Sequence, residues 1–200
     1  RIEELSLDGA GKVELTGSLG NVMRESAQAA MSFVRSRAEK LGIDPDFYRK
    51  KDIHIHFPEG AVPKDGPSAG VAIAIAIISE LTGIAVRRDV AMTGEITLRG
   101  RVLAIGGLRE KTMAAYLAGV KTIILPEENR KDENEILPEV KENVEIVYIS
   151  HADEAIKLAL CAEPKAAEKS VGTEEKTEKT YISAGESHSA AATIEAGAAE

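Results

Sequence analysis

The sequence predicts a mixed α/β domain, and three observations carry that prediction. Strand-like alternation and helix-like spacing of apolar residues take turns along positions 11–160. Glycines stand at the joints between these runs, notably Gly42, Gly83, Gly94, Gly100 and Gly119. The chain is 44% hydrophobic but only 4% aromatic, with no Trp, so the shared core is aliphatic.

The elements follow in order. Gly11–Gly17 alternates as a strand, with Val13 and Leu15 on one face. Val22, Ala29, Ala30, Phe33, Val34 and Leu41 recur at helical spacing, which predicts a helix over 21–41 that Gly42 ends. Asp52–Phe57 alternates again, with Ile53, Ile55 and Phe57 inward. A loop rich in Gly and Pro then leads into Ala69–Ile78, an unbroken apolar run that reads as a buried helix closing at Gly83. Val90–Thr93, Glu95–Leu98 and Arg101–Ala104 read as short strands. Gly106-Gly107 opens a helix that runs to Ala118. Val120–Leu125 is a strand stopped by Pro126, and 127–145 is strongly charged. A last strand, Val144–Ile149, and a last helix, Ala152–Leu160, complete the body. There is no internal repeat.

Composition excludes several classes of function. A chain of 200 residues fits one domain, or one domain with a tail. A net charge of −8 argues against general affinity for nucleic acid or an anionic membrane. The one cysteine, Cys161, permits no internal disulfide and fits a reducing compartment. The first residues do not form a signal peptide, and no apolar stretch approaches the ~20 residues a spanning helix needs. Arg1 in place of Met suggests a piece of a longer chain or a processed product. From Ala162 onward the chain is mostly Ala, Glu, Lys, Ser, Thr and Gly, with eight Glu against four Lys. Such a segment is expected to be disordered, with Tyr181-Ile182 its one weakly apolar docking point.

The candidate chemistry centres on Ser68. Gly66-Pro67-Ser68-Ala69-Gly70 fits the pattern G-x-S-x-G. It sets a hydroxyl at a helix N-terminus, where free amides and the helix dipole favour the oxyanion formed by nucleophilic attack. A base is then required. His151 follows Ser68 but opens the terminal helix, which disfavours a histidine triad. Lys111 is the other candidate, because a desolvated amine can take a serine proton. Met113, Ala114, Tyr116 and Leu117 supply apolar surface to its helix. Pattern alone equally allows a solvated helix lysine.

Several motifs in register carry a family resemblance. They are Leu15-Thr16-Gly17-Ser18-Leu19-Gly20 with Glu25-Ser26-Ala27, His54 to Ala61, and Pro63 to Gly70. Ala91 to Gly100, Ile105 to Lys111, and Gly119 to Asn129 continue the series. Over 11–160 the chain resembles the proteolytic domain of ATP-dependent Lon proteases of the bacterial LonA type. The resemblance implies a compact α+β fold shared with a small-ribosomal-subunit protein and a family of small-molecule kinases. It implies a Ser–Lys dyad, with Ser68 as nucleophile and Lys111 as general base. Thr93 matches a threonine whose hydroxyl holds the lysine amine. Asp65 matches an acid that can pair with that lysine and silence the site. The backbone amides of Ser68 and Ala69 match the oxyanion hole, and His54 and His56 match paired histidines on a strand flanking the cleft.

The resemblance also sets wider expectations. Residues 1–161 form the peptidase domain, with the family's first strands missing or reduced to 1–8, and 162–200 form a tail. Substrates are unfolded or damaged polypeptides. No cofactor or metal is expected in this chain; ATP and Mg belong to an upstream module absent from it. The intact protein is expected to be a cytoplasmic six-membered ring, with no membrane contact and no DNA contact through this domain.

Other readings stand beside this one. Pro63 to Gly70 could cradle a phosphate, making a small-molecule kinase, although there is no Walker A motif or clear metal-binding acid set. A non-catalytic assembly domain is opposed by the joint presence of Ser68, Lys111 and Thr93. His54 and His56 could ligate a metal, but without Cys or a clear third ligand they read as an outward polar face. Glu95 reads as a strand-end or subunit-contact charge. Pro58-Glu59-Gly60 is either a turn or an edge that pairs with substrate backbone.

Overall fold

The computed structural model describes residues 2–58, 61 and 63–166. The tail assigned to 162–200 therefore lies outside the described residues beyond position 166, as do Glu59 and Gly60.

The fold is mixed α/β, as the alternating periodicities predict. The first sheet has the order β1-β3-β2, from strands β1 (Glu3–Asp8), β2 (Val13–Thr16) and β3 (Lys51–His56). β1 runs antiparallel to β3, with Glu3 opposite His56 and Asp8 opposite Lys51. β2 runs parallel to β3, with Val13 opposite Ile53 and Thr16 opposite His56. Helix α1 (Asn21–Arg37) makes the crossover that this parallel pair requires. The predicted helix to Leu41 divides: α1 ends at Arg37, a 3₁₀ turn covers Glu39–Leu41, and Gly42 closes it at φ 70°. A short helix, α2 (Phe47–Lys50), follows.

Helix α3 (Gly70–Thr82) is the centre of the core. Val71, Ile73, Ala74, Ile75, Ile77 and Ile78 are all buried. An apolar surface all round a helix is stable only when other elements cover it; here the first sheet, α1 and α6 (Ala152–Ala159) cover all but the face of Ala72 and Ala76, which lines a cavity. No helix among the described residues is long and apolar enough to cross a membrane.

The second sheet has the order β4-β7-β8 and is wholly parallel. It comprises β4 (Val90–Met92), β7 (Thr122–Pro126) and β8 (Glu145–Ile149). Every residue of β7 is buried, as a central parallel strand requires. Between β4 and β7 lie the small antiparallel pair β5 (Glu95–Ile96) and β6 (Val102–Leu103), then α4 (Leu108–Leu117). The charged 127–145 region folds as a 3₁₀ segment over Glu127–Glu135 and helix α5 (Pro138–Asn143). Ile136, Val140 and Val144 anchor it to a second apolar cluster with Leu108, Ile123 and Leu125.

Within residues 1–8, Glu3–Asp8 is a regular paired strand. Its alternation is inverted. Leu5 and Leu7 face out and are 52% and 55% exposed, whereas Glu4 and Ser6 face in. Both carboxylate oxygens of Glu4 are buried without a hydrogen-bond partner. Burial first, and the charge of Glu80 second, push the Glu4 carboxyl up to about 9.

Candidate active site

Ser68 sits just before α3, with Ala69 at the N-cap position. The loop that carries it is pinned at several points. Ser26 Oγ on α1 donates to Pro67 O at 3.1 Å. The Ser68 carbonyl accepts Gly94 N at 2.8 Å and Thr93 Oγ1 at 3.1 Å. Leu19 and Lys64 form a parallel bridge, with Gly20 N donating to Lys64 O at 2.8 Å. These bonds fix the backbone of Ser68, which lines a cavity. Among the described residues no acceptor takes the amide hydrogens of Ser68 or Ala69, so both remain available to an anion at the helix N-terminus.

Lys111 lies in the first turn and a half of α4. Gly107 is the N-cap at φ 69°, a left-handed conformation that glycine adopts without strain. This sharp entry turns the Gly106 carbonyl toward the lysine, whose Nζ donates to it at 2.6 Å. The preceding segment is held by buried Asn129, which accepts Ile105 N and donates to Ile105 O, each at 2.9 Å. Asn129 ends the last resemblance motif, but nothing in the pattern signals this clamp.

One cavity of about 630 Å³ joins these parts. Ser68, Thr93 and Lys111 all line it, and Ile75, Val90, Ile123 and Leu125 give it apolar walls. Lys64 lines it too, a residue the sequence reading did not single out. Distant segments are thus brought to one largely apolar cavity. Among the described residues Ser68 Oγ and Lys111 Nζ are not hydrogen-bonded to each other; the amine donates to Gly106 O. Thr93 bonds the Ser68 carbonyl and not the lysine amine.

Asp65 is turned elsewhere. Its Oδ1 accepts Met23 N and Gly66 N, each at 3.0 Å, and it forms no ion pair with Lys111. The remaining candidates lie apart from the cavity. His54 Nε2 and His56 Nδ1 are 2.9 and 2.7 Å from Thr16 Oγ1, on the outer face of β3. Among the described residues no three His, Cys, Asp or Glu side chains gather as a metal site. Glu95 opens β5. His151 caps α6: its Nδ1 accepts Asp153 N at 3.1 Å, and its Nε2 donates to Arg99 O at 2.9 Å. With both ring nitrogens engaged, it has no free base for a triad.

A serine at a helix N-terminus with two free amides and a lysine thus line one cavity, the combination a search for a nucleophile and its base looks for. The comparisons with known proteins specify the family. A model of the Lon protease (S16) C-terminal proteolytic domain matches residues 1–162, and the chain belongs to that family. It is 64% identical over 159 residues to the Lon protease of Bacillus thuringiensis (strain Al Hakam), covering 80% of this chain and 20% of that protein. It is 61% identical over 163 residues to Lon protease 1 of Bacillus subtilis (strain 168), covering 81% and 21%. With the Lon protease of Escherichia coli (strain K12) the identity is 58% over 163 residues, covering 82% and 21%. The chain thus spans about a fifth of the length of these relatives.

Proposed function

We propose that this chain is a serine endopeptidase domain that cuts unfolded or damaged polypeptides through a Ser68–Lys111 dyad. The observation that carries the reading is the convergence of Ser68, Thr93 and Lys111 on one apolar cavity. In the proposed reaction Lys111 Nζ swings from the Gly106 carbonyl to Ser68 Oγ and, as the neutral amine, accepts its proton. Oγ attacks the scissile carbonyl carbon. The Ser68 and Ala69 amides hold the oxyanion, and Thr93 orients the lysine. Lys111 returns the proton to the leaving amine. The same lysine then deprotonates a water that cleaves the acyl-enzyme. The apolar walls favour an apolar side chain beside the scissile bond. Asp65 acts as a restraint: paired with Lys111, it would keep the ammonium charged and the site silent.

In the longer proteins the domain works with an ATP- and Mg-using module, in a cytoplasmic homohexameric ring. This segment itself needs no cofactor and contacts neither membrane nor DNA. The test compares cleavage of an unfolded protein and a short peptide by wild type, Ser68→Ala and Lys111→Ala. Each variant is expected to lose roughly 10³-fold or more in kcat/KM. Equal turnover by all three would remove the dyad.

A further inference from the structure

Helix α1 begins with an unusual cap. Gly20 is its N-cap residue and has no side chain to offer, and the first turn contains no acidic residue. Four amides at such an end need acceptors, and the helix dipole adds a preference for negative charge. The acceptor is supplied from a distance. The Asp65 carboxylate takes Met23 N at 3.0 Å, in the position an N-cap side chain would normally fill.

Gly20 makes the space. A Cβ built at this position would lie 2.2 Å from Asp65 Cγ and 2.4 Å from its Oδ2. The backbone itself, at φ −74° and ψ 175°, suits any residue. The glycine is therefore required by the close approach of a carboxylate and not by its dihedrals. The clashing atoms are the far end of a side chain, so a methyl group at Gly20 would displace the carboxylate and leave the chain path intact.

We propose that Gly20 is a positioning residue, whose missing side chain opens the seat on α1 that holds the Asp65 carboxylate away from Lys111. The proposal rests on Lys111 acting as the base. Asp65 stands three residues before Ser68, on the loop that α1 also holds through Ser26. Released from α1, the carboxylate has a cation to find in Lys111. The charged groups already near that amine are Glu110 on its own helix, beside it at Gly107, and Lys64 in the shared cavity. A further carboxylate would favour the ammonium and oppose proton transfer from Ser68.

The test is the pH dependence of kcat/KM on a peptide substrate for wild type, Gly20→Ala, Gly20→Ser, Asp65→Asn and the Gly20→Ala/Asp65→Asn double variant. Ordinary capping preference predicts that Ser at an N-cap is harmless or stabilising. Our proposal predicts that both Gly20 variants raise the acid limb of the profile by about one pH unit, a tenfold loss below it. The double variant, whose displaced side chain is neutral, should return the limb to the wild-type position. Amide exchange at Met23 gives a readout independent of activity. It should quicken in the folded Gly20→Ala protein, because its acceptor has left. An unmoved limb, an equal shift in the double variant, or unchanged Met23 protection would each overturn the proposal. Full turnover by Ser68→Ala and Lys111→Ala would instead remove the dyad.

Discussion

Replacing Glu4 by Gln removes one ionisable carboxyl from the inner face of β1 while keeping its shape. Its two oxygens are buried and unpartnered, and Glu80 lies near enough to add repulsion. Glu80 is itself bound to β1, accepting Ser6 N and Ser6 Oγ at 3.0 Å each. The folded protein holds Glu4 protonated up to about 9, whereas the unfolded chain releases that proton near 4.5. Between these values the unfolded state binds fewer protons, so stability falls as pH rises. The slope is about 1.4 kcal/mol per pH unit, which accumulates to about 3 kcal/mol at pH 7. Urea denaturation of wild type and Glu4→Gln at intervals from pH 5 to 8 measures this directly. The wild type should lose about 4 kcal/mol relative to the variant across that range. The comparison of slopes is insensitive to any constant cost of the buried amide. Parallel stability curves would refute the reasoning, by showing that Glu4 ionises alike in both states.

Two further predictions concern single side chains that hold loops. Asp52 accepts the amides of Ala10, Gly11 and Lys12, and these bonds, the one from Lys12 first, hold its carboxyl below the usual range. Asp52→Ala should lower stability at neutral pH. The deficit should shrink as pH falls through the folded value, because the contribution exists only while the carboxylate is charged; a deficit constant into acid, followed by circular dichroism, would contradict this. Asn129→Ala strands the Ile105 amide and carbonyl and should cost about 2–4 kcal/mol in urea denaturation. It should also lower peptide turnover, since the same clamp sets the Gly106 carbonyl that receives Lys111.

The legible parts of the fold are those whose apolar pattern matches their period. The α3 run and the β3 alternation could be read directly, because each buries the residues its spacing marks. β1 could not, because it buries Glu4 and Ser6 and exposes Leu5 and Leu7, against any pattern rule. α2 and the 3₁₀ segment at Glu127–Glu135 are short or polar and are held by tertiary contacts. Of the site, Ser68 was legible from its loop and helix. Lys111 emerged from the family motifs, since a lysine on a short helix carries no signal of its own. Gly20, Ser26 and Asn129 lay within recognised motifs, but their roles depend on partners distant in sequence. Only the folded chain reveals such pairings.

The second sheet also sets the order in which a site can appear during folding. Thr93 and Gly94 grip the Ser68 carbonyl, and the Thr93 amide in turn bonds Ile124 O on β7. β7 closes against β4 only after the β5–β6 pair and α4 have been laid down between them. Such long loops close slowly compared with local turns and helices. A newly made chain therefore carries Ser68 on its loop before the pairing that braces Thr93 against that loop has formed. The proposed dyad would then become competent only once β7 has paired with β4.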